Sequence, residues 1–81
     1  MSEDIMGRVI EAMEYLEGDI TVPKNVKSKL GQIKAILQGN DEASIKVNKA
    51  LNELDEINDD PNLQAFTRTQ IYNIVSMLEQ I

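Results

Sequence analysis

The 81-residue chain has no cysteine, no histidine and no tryptophan. These absences remove thiolate chemistry, disulfide frameworks and the side chain that most often shuttles protons near neutral pH. They also remove the soft ligands that transition metals prefer. Only three aromatic rings are present, Tyr15, Phe66 and Tyr72. A core must therefore be built from Ile, Leu, Val and Met. Two prolines and four glycines leave little material for a loop-rich fold. No apolar run approaches the ~20 residues that a membrane helix needs, and the acidic Glu3-Asp4 start does not read as a signal peptide. No membrane partner is expected, and a cytoplasmic setting fits.

Hydrophobic residues make up 42% of the chain and charged residues 27%, the proportions of a folded domain. The length allows one domain, spanning residues 1–81, because a second core would not fit. Fourteen acidic against eight basic side chains give a formal charge of -6. That balance argues against phosphate-backbone binding as the main activity.

Four helices are expected, over about 2–17, 23–38, 41–58 and 67–80. The first carries Ile5, Met6, Val9, Ile10, Met13 and Leu16 on one stripe, with Ser2 as cap and Gly18 at its end. The second opens on Pro23 and carries Val26, Leu30, Ile33 and Leu37. The third, with Asp41 as N-cap, carries Val47, Ala50, Leu51, Leu54 and Ile57, and Asp59-Asp60-Pro61-Asn62 stops it. The fourth carries Ile71, Ile74, Val75, Leu78 and Ile81. Thr67 and Gln70 match a capping box there, and Leu63 to Phe66 read as a turn ahead of it. No segment alternates with a period of two. The expected fold is all-α, a four-helix antiparallel up-and-down bundle, with two stacked helical-hairpin repeats as the alternative.

The two halves align weakly. Val9, Ala12, Met13 and Leu16 match Val47, Ala50, Leu51 and Leu54 at a spacing of 38, whereas Lys27, Leu30, Ile33 and Leu37 match Arg68, Ile71, Ile74 and Leu78 at 41. Three extra residues would then fall in the second hairpin's loop. Helical periodicity alone accounts for an alignment of this quality.

Val22-Pro23-Lys24-Asn25 opens the second helix. Asn58-Asp59-Asp60-Pro61-Asn62 followed by Thr67-Arg68-Thr69 opens the fourth. With the length and the acidic first and third helices, these elements resemble a small archaeal family catalogued as an uncharacterised protein family, number 0147. The resemblance spans nearly the whole chain, and Asp-Pro-Asn and Thr-Arg-Thr are its most specific parts. Where that family's pattern often has His before Thr67 and Trp at position 72, this chain has Phe66 and Tyr72, so any role of a His there is lost. The resemblance implies a four-helix bundle and an archaeal source, and it implies no activity.

The residues themselves carry little chemistry. Asn58, Asp60 and Asn62 mimic the first positions of a calcium loop, but Leu63 stands where Gly is needed and Thr69 where a bidentate Glu belongs. Glu11, Glu14 and Glu53 fall on outer helix faces with no pocket implied. No cofactor or metal site is expected, and the chain reads as a non-enzyme. Lys24, Lys27 and Lys34 could share one face of the second helix and contact nucleic acid. Salt bridges from the second helix to the acidic first helix are the simpler use of its lysines. The fourth helix has no charged residue between Thr69 and Glu79, and Thr69, Asn73, Ser76 and Gln80 form one row beside Tyr72. A face poor in charge and rich in amides, next to Tyr72 and Met77, resembles an association surface. The expected function is contact with a protein partner, unidentified, or with a second copy. Pro23, Asp60, Pro61 and Arg68 are expected to lock the corners, with the carboxylate of Asp59 or Asp60 offsetting Arg68. Gly7 and Gly31, inside helices, mark either a close helix–helix approach or a contact with another chain.

Overall fold

The computed structural model describes residues 4–81. Four helices follow one another: α1 Ile5–Glu17, α2 Lys24–Leu37, α3 Ala43–Asn58 and α4 Ala65–Leu78. Among the described residues there is no strand. Each helix packs on its neighbours in sequence, and α1 also packs on α4, so the four close into a ring. This is the up-and-down bundle. In a stack of hairpin repeats α1 would not meet α4.

The helix ends differ in detail from the pattern-based expectation. The Ser2 cap lies outside the described residues. Asp4 is the N-cap of α1, its carboxylate accepting from the Gly7 N–H at 2.9 Å. Gly7 leaves room for this cap: a Cβ there would meet the Asp4 carboxylate, which would have to shift. Gly18 is the C-cap of α1, but with φ -85 it continues the right-handed turn instead of reversing it. Pro23 is the N-cap of α2, and its carbonyl accepts from the Lys27 N–H at 3.0 Å. Asp41 does not cap α3; Glu42 stands at the N-cap, and Asp41 pairs with Lys49 Nζ at 3.1 Å. The capping box at Thr67 does not form either. Helix α4 starts two residues earlier, after Gln64, and Thr67 is 1% exposed inside its first turn. The core demands that site, because Thr67 is the first of four inward positions, Thr67, Ile71, Ile74 and Leu78.

The core obeys one rule. Every buried residue in the first half has a buried mate 41 residues later. Val9, Met13 and Leu16 of α1 correspond to Ala50, Leu54 and Ile57 of α3. Val26, Leu30, Ile33 and Leu37 of α2 correspond to Thr67, Ile71, Ile74 and Leu78 of α4. In the corners between helices, Val22 corresponds to Leu63. The spacing of 38 read from the first and third helices is thus a slipped register, and no extra residues separate the halves. Helical periodicity could not decide this, because a shift of three residues lands near the same helix face.

The two corners, 18–23 and 59–64, share one end of the bundle and one geometry. The Thr21 N–H donates to Asp19 Oδ1 at 2.9 Å, and the Asn62 N–H donates to Asp60 Oδ1 at 2.9 Å. The Val22 N–H meets the Asp19 carbonyl at 3.1 Å, and the Leu63 N–H meets the Asp60 carbonyl at 3.2 Å. Each is an Asx turn that swings an apolar residue back into the core.

Candidate functional site

Because Thr67, Ile71, Ile74 and Leu78 face inward, the residues half a turn away must face out. Thr69, Asn73, Ser76 and Gln80 are all exposed, and Tyr72 beside them is 59% exposed. The structure therefore brings Thr69, Tyr72, Asn73 and Ser76 onto the outer face of α4, with Gln80 in the turn just past its end at Leu78. Within the helix the only charged residue is Arg68, and it turns away to the corner. Phe66, 53% exposed, joins this helix. Sequence reasoning missed it, because the capping-box match put the helix start after it. Met77 is half-buried against the core and belongs to the flank of the helix.

Helix α2 occupies the matching position across the bundle, and its back provides a control. Ser28, Gln32 and Ala35, the equivalents of Thr69, Asn73 and Ser76, are exposed and uncharged as well. An uncharged outer row is thus common to both helices. What sets α4 apart is Phe66 where α2 has Asn25, and Tyr72 where α2 has Gly31.

The flanks of α2 carry ion pairs. Lys34 Nζ lies 2.6 Å from Glu17 and 3.5 Å from Glu14 on α1. Lys29 Nζ lies 2.7 Å from Glu53 and 3.1 Å from Glu56 on α3. Both lysines are held above their ordinary pKa, Lys34 chiefly by its hydrogen bond to Glu17 and Lys29 chiefly by that to Glu53. Gly31 makes room for this arrangement: a Cβ there would sit 3.3 Å from Glu17 Oε2. Lys24, Lys27 and Lys34 accordingly do not form an open basic stripe, since Lys34 is spent on α1. The Asp19 carboxyl is lowered by the Thr21 N–H first, with Lys27 adding a smaller effect.

The corner residues meet as a unit. Arg68 reaches across to the end of α3 and donates to two backbone carbonyls, those of Asn58 and Asp60, the latter at 3.1 Å. The expected carboxylate partner is replaced by the carbonyl of Asn58, the last residue of α3, and by that of Asp60 in the corner, which also accepts from the Leu63 N–H. A cation there also suits the negative end of the α3 dipole. The Asp60 carboxylate instead accepts from Asn62 in the turn and from Asn25 Nδ2, at 3.4 Å, across to α2. Pro61 is exposed between them.

A cleft of about 530 Å³ opens at the opposite end, between the start of α3 and the end of α4. Among the described residues, Glu79 is the only ionisable side chain in its lining. Glu14 and Glu53, weighed as acid–base groups, are engaged by Lys34 and Lys29. No helix among the described residues is long and apolar enough to cross a membrane.

Fold and surface define a small all-helical bundle whose outer features are corners, ion-paired flanks, an exposed Tyr15 on α1 and an α4 face that carries two exposed rings. Residues 1–81 match the family described as "Uncharacterised protein family (UPF0147)", and the chain belongs to that family. It is 37% identical over 81 residues to a UPF0147 protein of Archaeoglobus fulgidus, covering 100% of this chain and 93% of that one. Over 80 residues it is 38% identical to a UPF0147 protein of Methanocaldococcus jannaschii, covering 98% and 86%. Its fold is similar to the crystal structure of the unknown function protein MMP1188, with TM-score 0.92 and 35% identity over 96% of this chain and 90% of that chain. A crystal structure of the Thermoplasma acidophilum member of the family matches with TM-score 0.90 and 38% identity over 95% and 92%. The family is archaeal in these relatives, and none of them is named for an enzymatic activity.

Proposed function

We propose that this protein is non-catalytic and works through protein–protein contact made by the outer face of α4, with Thr69, Tyr72, Asn73, Ser76 and Gln80 at its centre and Phe66 at its edge. A cytoplasmic setting is part of this reading. One observation carries it: two half-exposed aromatic rings stand on a face without charge, at positions where the matching helix α2 has Asn25 and Gly31. Aromatic side chains supply much contact area at low entropic cost and are enriched in interface centres. The partner that fits is a protein surface equally poor in charge, and binding should depend little on salt. Nucleic acid through Lys24, Lys27 and Lys34 is less well supported, because Lys34 is paired.

The test is affinity capture from nuclease-treated archaeal lysate, comparing the parent with an Asn73→Glu, Ser76→Glu variant, together with sedimentation of each. A specific partner, or a self-associated species, that is lost in the variant and indifferent to salt supports the reading. Identical behaviour of parent and variant removes it.

A further inference from the structure

The internal repeat carries an inference of its own. We propose that the bundle is a fused hairpin dimer: the surface that holds α1–α2 against α3–α4 is built for a second copy of the same hairpin, so that either hairpin can take the other's place. Three independent features point the same way. The buried positions of the two halves coincide at one spacing throughout, including Val22 and Leu63 outside the helices. The Asx turns at Asp19 and Asp60 repeat bond for bond, and a non-helical corner fixes register where helical periodicity cannot. Helix α2, shifted by 41, gives the bounds of α4 at both ends.

The ring then has a twofold character. The α2/α3 seam is equivalent to the α4/α1 seam, and α1/α2 to α3/α4. The core residues exchanged by that operation are close in size: Leu30 for Ile71, Ile33 for Ile74, Val26 for Thr67. Swaps that conserve volume are the ones cores tolerate. Only Val9 for Ala50 changes volume markedly. The surface allows the exchange too. Lys34 and its partners Glu14 and Glu17 lie within one hairpin and would travel together. With two copies of the first hairpin the Lys29 pairs with Glu53 and Glu56 would be lost, with Ala12 and Tyr15 in their places; with two copies of the second, Gln70 and Val75 stand in for both lysines and all four pairs are lost. A C2 interface between identical hairpins is the self-complementary kind, and joining two such hairpins by residues 38–42 yields this chain.

Two chains of unchanged length test the proposal. In one, residues 45–81 are replaced by the sequence of residues 4–40. In the converse, residues 4–40 are replaced by the sequence of 45–81. The expected result is that at least one is a monomer with the helical circular dichroism of the parent and a single cooperative melting transition. Its amide NMR spectrum should show one set of hairpin resonances, because its two halves are equivalent. If both chains lack a cooperative transition, or if the folded one gives two unrelated sets of hairpin resonances, the proposal is overturned.

Discussion

The two hairpins share an interior and differ at the rim. Their buried residues and corner turns correspond at one spacing, as do both ends of α2 and α4; α3 starts three residues ahead of the position that α1 would give. Their flanks do not. Helix α2 is tied on one side to Glu14 and Glu17 and on the other to Glu53 and Glu56. Helix α4 replaces Lys29 and Lys34 with Gln70 and Val75, and adds the exposed rings of Phe66 and Tyr72. What both hairpins keep is what the bundle needs in order to fold. What one hairpin has and the other lacks is not demanded by the fold, and the aromatic face of α4 falls in that second group.

The comparison breaks first in the core, if it breaks at all. Leu30→Ala and Ile71→Ala remove side chains of similar size at equivalent sites, each 0% exposed. Each should cost about 2–5 kcal/mol by chemical denaturation, and the two losses should be close to one another. The corners come next. Arg68→Ala leaves two carbonyls at the end of α3 without their charged donor and should cost about 1.5–3 kcal/mol; Lys27→Ala, at the matching position, should cost less. The pair Thr67 and Val26 sharpens the comparison further. The Thr67 hydroxyl is buried without a hydrogen-bond partner. Thr67→Val should thus be neutral or stabilising by up to about 1 kcal/mol, while Val26→Thr should destabilise by about 1–3 kcal/mol.

Charge gives the smallest effects, and the sign follows from the shifts. Lys29 and Lys34 have folded-state pKa values above the ordinary 10.5. Their contribution is complete below that value and is lost as pH rises through the higher folded value. Asp19 lies below its ordinary 3.8, so its contribution is present above that value and is lost as pH falls through the lowered one. With no histidine in the chain, the melting temperature should stay nearly level around neutral pH and fall at the alkaline end. Salt should weaken the parent slightly and a Lys29→Gln, Lys34→Gln variant less.

Much of this architecture was legible in the sequence. Four stripes with three- and four-residue spacing give four helices, and Pro23, Gly39 and Pro61 place the breaks. The outer row of α4 followed from its inner stripe by geometry alone. Three things were not legible. Capping patterns are local, and the burial of Thr67 overrode one of them, which hid Phe66 from the helix it belongs to. The repeat was read at two spacings because stripes on helices match in several registers. Only the corner turns, whose hydrogen bonds depend on three-dimensional closure, select one. The partner of Arg68 escapes sequence reading for a related reason: carboxylates are visible in a sequence, whereas the backbone carbonyls that a corner turns toward a side chain are not.

The central claim is that function sits where the hairpins differ. The most direct measurement is quantitative capture with three baits: the parent, an α4-face variant Asn73→Glu, Ser76→Glu, and the matching α2-face variant Gln32→Glu, Ala35→Glu. All four substituted positions are exposed, so all three baits should melt alike. The account predicts that one specific protein is held by the parent and the α2-face variant and released by the α4-face variant. Equal capture by all three baits, or loss from the α2-face variant alone, would contradict it.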